Sequence, residues 1–295
     1  MAGTIKYLLG IDGGGTKTEF LLTDMSFNEI RRIILGTSNP VNTGIENTKR
    51  ILKQGIEEIC DGLEFSEISL FAGLAGGSAP DIKAEIGSLL SSFGFGACSN
   101  GSDADSAVEL ALNGENGAAV IMGTGIIAFA RTGAETHRIG GRGFMIDKGT
   151  SGFCLGSEAL NAAFEYLDKR GSSSIIYELV EKQLGKSPEA AICEIYAGGA
   201  SFIASFAPIV FEAYKKGDKT AEDILDRNVR ESVKLLNAAQ SYLKKGEKTV
   251  ICGGLCKQKD ILKSFFDKYI SADFPLVFSD EPMVNGALII AKTNI

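Results

Sequence analysis

The stretch LLGIDGGGTKTEFLLTD, residues 8–24, decides the fold because it joins two apolar runs through three consecutive glycines. A P-loop needs a glycine directly before Lys-Ser or Lys-Thr, but here Thr16 separates Gly15 from Lys17. A dinucleotide-binding motif needs a helix to begin at the glycines, whereas residues 18–23 are rich in strand formers. We therefore predict a strand, a glycine turn and a second strand, a hairpin whose tip can hold phosphate through backbone N–H groups.

The composition is that of a globular protein long enough for two domains, with 295 residues, 44% hydrophobic and 23% charged. A net charge of −7 argues against nucleic acid or an anionic membrane as the partner. No signal peptide is visible, and no apolar stretch reaches the roughly 18–20 residues that a membrane helix needs. We therefore expect a cytoplasmic protein.

The six cysteines are scattered along the chain, and none forms a CxxC pair. This distribution indicates neither a zinc site nor a disulfide framework. Reduced and mostly buried thiols are the expected state in the cytoplasm.

The order of elements indicates a duplicated α/β architecture. Three strands followed by helix, strand and helix fill about 110 residues, and AAVIMGTGIIAFARTG at residues 118–133 begins a second unit with another glycine-tipped hairpin. Helical stretches follow, one of them at 187–213 and another over the final segment 282–292. We predict two domains with a cleft between them, at residues 1–115 and 116–295, with the final helix able to pack back on the first.

Glycines and one carboxylate mark candidate ligand contacts. The loop Gly13–Thr16 and the second hairpin tip, Gly123–Gly125, together predict two loops that grip one polyphosphate. Gly253–Gly254 follows a buried strand, where glycine lets the backbone approach a flat ligand such as adenine. Asp12 ends the first strand at the loop mouth, where a carboxylate can hold Mg²⁺ or cap the turn.

Two further carboxylates have interpretations that the residues alone leave open. Asp103, in GSDADSAVELA at residues 101–111, is either the N-cap of the following helix, a position that Ser102 could also fill, or a general base for a sugar hydroxyl. Asp147 lies in the glycine-rich stretch RIGGRGFMIDKGTSG at residues 138–152, which is either a flexible loop or a loop that shapes a ligand site.

Taken together and in order, seven stretches resemble the motifs of the N-acetylglucosamine kinase family. They are GIDGGGTKTEFLLTD, FAGLAGG, SDADSAV, AAVIMGTGIIAFAR, GGRGFMIDKGTSGFCLG, TVICGGL and NGALIIA. This family is also called the BadF/BadG/BcrA/BcrD ATPase group, within the sugar kinase, Hsp70 and actin superfamily. The resemblance spans nearly the whole chain and implies two ribonuclease H-like domains, the actin-like ATPase fold, with ATP and sugar in the interdomain cleft.

The resemblance implies an ATP- and Mg²⁺-dependent kinase that phosphorylates a hydroxyl of an amino sugar, with N-acetylglucosamine or glucosamine favoured. By this analogy Asp103 is the catalytic base and Asp12 positions Mg²⁺. The implied ATP contacts are Gly13, Gly14, Gly15, Thr16, Lys17, Gly123, Thr124, Gly125, Gly253 and Gly254. The implied sugar contacts are Asn39, Asp103, Thr124, Gly141 and Asp147. A homodimer is compatible with the family.

The chain departs from the family pattern at three positions. Arg142 stands where tryptophan is usual, Lys148 where glutamate is usual, and Ile126 where serine follows the second glycine loop. Two of these changes add positive charge next to the predicted sugar site. They leave an anionic or differently substituted sugar open, unless both side chains point to solvent.

Two other functions remain open. An ATPase activator of a radical dehydratase or reductase shares the phosphate loops but needs paired cysteines near the domain junction, where this chain has only Cys98. A catalytically silent sugar sensor is the second alternative. The intact Asp12, Gly13–Thr16 and Asp103 count against a sensor, although the added positive charges keep it open.

Overall fold

The computed structural model describes residues 4–295, which fold into two compact units. The first unit consists of the residues up to Gly114 together with Glu281–Ile295, and the second of Glu115–Asp280. Each unit contains one five-stranded mixed sheet and its helices. The chain therefore leaves the first unit once and returns to it at the end.

The first unit has a sheet with the strand order β3-β2-β1-β4-β5. Its strands are β1 (Tyr7–Gly13), β2 (Lys17–Asp24), β3 (Glu29–Gly36), β4 (Ile68–Leu74) and β5 (Ala97–Gly101). Its helices are α1 (Pro40–Thr43), α2 (Ile45–Ile59), α3 (Pro80–Ser91), α4 (Asp103–Leu112) and, from the end of the chain, α11 (Val284–Thr293). The first three strands are antiparallel, and β4 and β5 continue parallel to β1.

The second unit repeats this arrangement, with the strand order β10-β9-β6-β7-β8. Its strands are β6 (Gly117–Met122), β7 (Ile126–Thr132), β8 (Glu135–Gly140), β9 (Thr249–Cys252) and β10 (Leu276–Phe278). Its helices are α5 (Gly152–Leu167), α6 (Ile176–Leu184), α7 (Ile192–Ala204), α8 (Ala207–Lys215), α9 (Lys219–Gln240) and α10 (Lys259–Phe266).

The two sheets match strand for strand. In each, the opening strand is central, the next two follow it in an antiparallel meander, and the last two lie parallel to it on the other side. Both opening hairpins have the glycine tips that the sequence predicts. The predicted duplicated α/β architecture is confirmed.

The helix α11 covers one face of the first sheet, where it packs against β1 and α4. Its apolar side forms a small core with Leu8, Leu21 and Phe71. Gly286 allows this packing, because a Cβ atom there would lie 1.9 Å from the carbonyl oxygen of Ser106 in α4. The two helices therefore touch backbone to backbone at this point.

The helical stretch predicted at 187–213 is divided between two helices, α7 and α8. Gly199 has a φ of 61° inside α7, a left-handed conformation that interrupts regular helix. Within residues 4–295 no single helix is long and apolar enough to cross a membrane. Only the pair Glu189–Ala204 and Ala207–Lys215, bent by 63°, has the length and composition together.

Candidate functional site

The first glycine loop is a tight hairpin tip held from two sides. The Gly14 N–H donates to the Lys17 carbonyl at 2.9 Å and closes the turn. The Thr37 hydroxyl, from the segment after β3, donates to the Gly14 carbonyl at 2.8 Å. In contrast, the N–H groups of Gly15 and Thr16 donate to no acceptor that the structure describes. The loop is thus fixed in place with two free donors at its tip.

The glycines of this loop serve different purposes. A Cβ atom at Gly13 would lie 2.3 Å from both the Leu74 side chain and the Ser38 hydroxyl, so only glycine fits there. Gly14 and Gly15 are not crowded in this way, and none of the three has a positive φ. The second and third glycines are therefore not required by the hairpin, and they leave the backbone bare at the tip.

Asp12 lies at the end of β1, opposite Glu19 of β2 in the ladder. Burial raises the pKa of Asp12 to about 7, and the charges of Asp103 and Glu19 add to this rise. No hydrogen bond to the Asp12 carboxylate is found in the described part of the chain. A half-buried carboxylate beside two others, without donors, is a group whose charged form a bound cation would stabilise.

Asp103 is the first residue of α4, and it is not the N-cap. Ser102 holds that position, and its hydroxyl accepts a hydrogen bond from the Asp105 N–H at 3.2 Å. Asp105 completes the capping box by accepting from the Ser102 N–H at 2.8 Å. The capping interpretation of Asp103 is therefore excluded. Its carboxylate accepts from the Ala104 N–H at 3.0 Å and from its own backbone N–H, and burial raises its pKa despite these bonds.

The second glycine loop rests on the start of α5. The carbonyl groups of Gly123 and Thr124 accept hydrogen bonds from the Gly152 and Phe153 N–H groups at 2.7 and 2.9 Å. These bonds use donors that every helix leaves unpaired at its first turn. The helix thereby positions the loop rather than offering its own donors to a ligand.

The tip of this second loop is open. A Cβ atom at Gly123 or Gly125 would meet nothing within 4 Å, and neither residue has a positive φ. The Thr124 hydroxyl and the N–H groups of Thr124 and Gly125 have no partner among the residues that the structure describes. As in the first loop, glycine is not needed for packing and leaves donors exposed.

The late glycines, Gly253 and Gly254, follow β9. Gly253 has a φ of 109°, and a Cβ atom there would lie 2.5 Å from the Met122 carbonyl oxygen, so packing alone accounts for it. Gly254 has open space around it and begins a short 3₁₀ turn. Of the two, only Gly254 is left without a structural reason.

The residues predicted to contact the sugar also stabilise the local backbone structure. Asn39 is the N-cap of α1, and its side-chain oxygen accepts from the Val41 N–H at 2.9 Å. Asp147 accepts from the Gly143 N–H at 2.7 Å, which closes its glycine-rich loop. Gly141 has a φ of 68° and packs against the Ile127 side chain. The Asn39 amide nitrogen and the second Asp147 oxygen retain free hydrogen-bonding capacity within residues 4–295.

The positively charged residues near Asp147 are exposed. Arg142 and Lys148 form no ion pair or hydrogen bond in the described chain. Lys148 lines a cavity of about 540 Å³ in the second unit, which Arg227 and Arg230 also line. Glu158 and Glu231 lie in the same cavity, where Glu158 accepts hydrogen bonds from Arg227 and Asn228. Lys148 is therefore the unpaired cation of a mixed-charge cavity.

The predicted residues divide between the units. Asp12, the Gly13–Lys17 loop, Asn39 and Asp103 belong to the first, and the remaining predicted contacts belong to the second. Sequence reasoning missed Thr37 and Glu19. Thr37 carried a usable signal, since it is a hydroxyl residue two positions before the predicted contact Asn39.

The chain is similar to known proteins over nearly its whole length. The model of the BadF/BadG/BcrA/BcrD ATPase family matches residues 9–288. The chain is 30% identical to the N-acetylmuramic acid/N-acetylglucosamine kinase of Clostridium acetobutylicum, over 98% of this chain and 99% of that protein. It is 27% identical to the N-acetyl-D-glucosamine kinase of Dictyostelium discoideum, over 95% of this chain and 96% of that protein.

The solved structures confirm the fold. A candidate N-acetylglucosamine kinase from Chromobacterium violaceum aligns with a TM-score of 0.78 and 24% identity, over 98% of this chain and 100% of that one. At this identity the likeness concerns the fold alone, which is the actin-like ATPase fold that the sequence predicts. The match over nearly all residues shows that the chain belongs to the BadF/BadG/BcrA/BcrD ATPase family.

Proposed function

We propose that the protein is an ATP- and Mg²⁺-dependent kinase that transfers the γ-phosphate to a hydroxyl of an amino sugar, N-acetylglucosamine or glucosamine. The observation that carries this proposal is Asp103. It is a half-buried carboxylate with a raised pKa that the fold does not need, because Ser102 and Asp105 cap the helix instead. A carboxylate of raised pKa in such a position suits a general base for a sugar hydroxyl.

The two glycine loops supply the polyphosphate contacts. Phosphoryl transfer depends on positioning and charge neutralisation more than on covalent help from the protein. The free N–H groups of Gly15 and Thr16, and those of Thr124 and Gly125, are suited to phosphate oxygens. Lys17 adds a positive charge at the first loop, and Gly254 offers bare backbone to the adenosine.

Asp12 fits the role of the Mg²⁺ contact. No group of three or more metal-ligating side chains gathers within residues 4–295, so the remaining ligands would be phosphate oxygens and water, as is usual for Mg²⁺. The half-buried carboxylate of Asp12 accepts no hydrogen bond in the described residues, which agrees with a role as a Mg²⁺ ligand. When bound there, Mg²⁺ would neutralise charge on the transferred phosphoryl group. The use of ATP also agrees with a cytoplasmic location.

The sugar contacts proposed are Asn39, Asp103, Thr124, Gly141 and Asp147. Asn39 and Asp147 are well suited because a helix cap and a loop closure fix their orientation while leaving free polar atoms. Pre-oriented groups of this kind lose little entropy on binding.

Because Lys148 has no ion-pair partner in the described residues, the proposed substrates include a sugar with an acidic substituent. The exposed ammonium group of Lys148 would favour a carboxylate-bearing sugar over its neutral counterpart, whereas Arg227 and Arg230 of the same cavity are already paired with Glu158 and Asp226.

The ATPase-activator alternative finds less support. An iron–sulfur cluster needs several cysteine thiolates close together. Cys98 lies in the first unit, and Cys154 lies in the second unit, well beyond the junction in the sequence.

The proposal is tested by coupled ADP release with Mg-ATP and a panel of sugars. The panel contains N-acetylglucosamine, glucosamine, N-acetylmannosamine, glucose and N-acetylmuramic acid. Asp103→Asn should lower sugar-dependent kcat by at least about 100-fold while binding of ATP persists. Asp81→Asn is the matched control, because Asp81 lies in the first turn of α3 as Asp103 does in α4. No stimulation by any sugar, or equal losses in both variants, would count against the kinase.

A further inference from the structure

Glu19 is a buried charged residue of β2 that the proposed reaction does not use. It lies opposite Asp12 in the β1–β2 ladder, and its side chain is only 10% exposed. Both of its carboxylate oxygens are occupied. Oε2 accepts from Lys17 Nζ at 2.9 Å, and Oε1 accepts from the Arg32 guanidinium. A strand that needed only packing at this position would carry an apolar residue.

Lys17 connects Glu19 to the first glycine loop. Its side chain is 54% exposed, and within residues 4–295 Glu19 is its one ion-pair partner. The free N–H groups of Gly15 and Thr16 precede it directly, so a polyphosphate bound there would lie within reach of its flexible side chain. Glu19 and the polyphosphate therefore compete for the same ammonium group.

Arg32 holds Glu19 from the other side. It lies on β3, and it binds Glu29 as well as Glu19, with Nη2 of Arg32 donating to Glu29 Oε2 at 2.7 Å. If Lys17 left for a phosphate, Glu19 would still have the guanidinium as its counter-charge. This matters because an unpaired carboxylate next to Asp12 is costly to bury.

We propose that Glu19 is a positioning residue that holds Lys17 against β2 in the nucleotide-free protein and yields it to the polyphosphate, with Arg32 retaining the charge of Glu19. The inference rests on the proposed function, since it takes ATP as the ligand. It explains why β2 carries a buried carboxylate with two cationic partners. It also gives Arg32, far along the ladder from the loop tip, an influence on nucleotide affinity.

The test measures the dissociation constants of ADP and ATP by calorimetry, with and without Mg²⁺, and does not depend on sugar turnover. Glu19→Gln should tighten binding by about fivefold, because Lys17 no longer has a competing partner. Arg32→Gln should weaken binding by about tenfold, because Lys17 must then stay with Glu19. Arg32→Lys should restore most of the affinity. Glu29→Gln, which removes only the outer partner of Arg32, is the matched control.

The decisive measurement is the double-mutant cycle between these positions. In the Glu19→Gln background, Arg32→Gln should change affinity by less than about twofold, because there is no longer a charge to retain. In a Lys17→Met background, Glu19→Gln should likewise have less than about a twofold effect. Thermal unfolding midpoints confirm that each variant is folded.

The outcomes separate the inference from the proposed function. If the wild-type protein binds neither nucleotide, both are wrong. A second outcome is that it binds nucleotide but the effects of Glu19→Gln and Arg32→Gln on affinity are additive. The two charges would then act on the nucleotide independently through long-range electrostatics. In that case the inference is wrong, while the kinase proposal stands. Weaker nucleotide binding by the Glu19→Gln variant than by wild type would also overturn the inference, because it would show that Glu19 favours nucleotide binding.

Discussion

Replacing Asp12 by asparagine should make the nucleotide-free protein more stable at alkaline pH. Burial, followed by the charges of Asp103 and Glu19, raises the pKa of Asp12 from 3.8 to about 7. An acid whose pKa is higher in the folded than in the unfolded protein contributes stability that is fully present below the unfolded pKa. This stability is lost as pH rises through the folded pKa. The free energy of unfolding should thus fall between about pH 4 and pH 8, and Asp12→Asn should remove that fall.

The magnitude follows from the size of the shift. About 3 pKa units correspond to about 4 kcal/mol for a group fully ionised in the folded state. Asp12 lies at the loop mouth near Lys17, so water and the ammonium group reduce this to about 2 kcal/mol. A gain of that size raises the unfolding midpoint by about 4–8 °C.

The assay is thermal unfolding in EDTA without nucleotide, at pH 3.5 and pH 8.5. At pH 3.5 Asp12 is mostly protonated in both the folded and the unfolded protein, so wild type and Asp12→Asn should unfold at nearly the same temperature. Asp24→Asn is a control for which the opposite change in stability is expected at pH 8.5. The Asn28 side chain and the backbone N–H groups of Asn28 and Ser26 lower the Asp24 pKa, so its removal should destabilise the protein at pH 8.5. Equal effects of Asp12→Asn at both pH values would refute the reasoning.

Three further changes test the packing and the loops. Gly286→Ala places a Cβ atom 1.9 Å from the Ser106 carbonyl oxygen and should cost about 3 kcal/mol in chemical denaturation; an unchanged midpoint would contradict the backbone contact of α11 and α4. Gly123→Ala meets nothing within 4 Å, so unfolding should change by less than about 0.5 kcal/mol while ATP affinity falls in calorimetry. A large loss of stability there would show a packing role instead. Ser102→Ala removes the capping box with Asp105 and should cost about 1 kcal/mol in thermal unfolding, without the loss of kcat expected at Asp103.

Strands and helices with a clear hydrophobic period were predictable from the sequence, and two strands were not. The β5 segment ACSNG contains serine, asparagine and glycine, which disfavour strands, and it is extended because it pairs in parallel with β4. The β8 segment ETHRIG is polar and lies at the edge of its sheet, paired with β7 alone. In both cases the neighbouring strand determines the conformation, which no local window of sequence reveals.

The candidate site was predictable where glycines and carboxylates follow a strand. It was less predictable where two neighbouring residues could fill the same structural role. The sequence offered both Ser102 and Asp103 as caps, and only the three-dimensional hydrogen bonds assign the cap to Ser102. Glu19 was read as part of a strand, because the identity of its ion-pair partners depends on the register with β1 and β3.

The return of the chain to the first unit has a consequence for its biosynthesis. Val284–Thr293 covers Leu8, Leu21 and Phe71 and lies against Gly10, yet it is translated only after the whole of Glu115–Asp280. The N-terminal residues therefore cannot bury this face while the second unit is being made, in contrast to the usual order in which N-terminal domains fold first. During translation the apolar face of the β1–β2 hairpin that α11 later covers stays available to chaperones, and the second unit can complete its fold before the first.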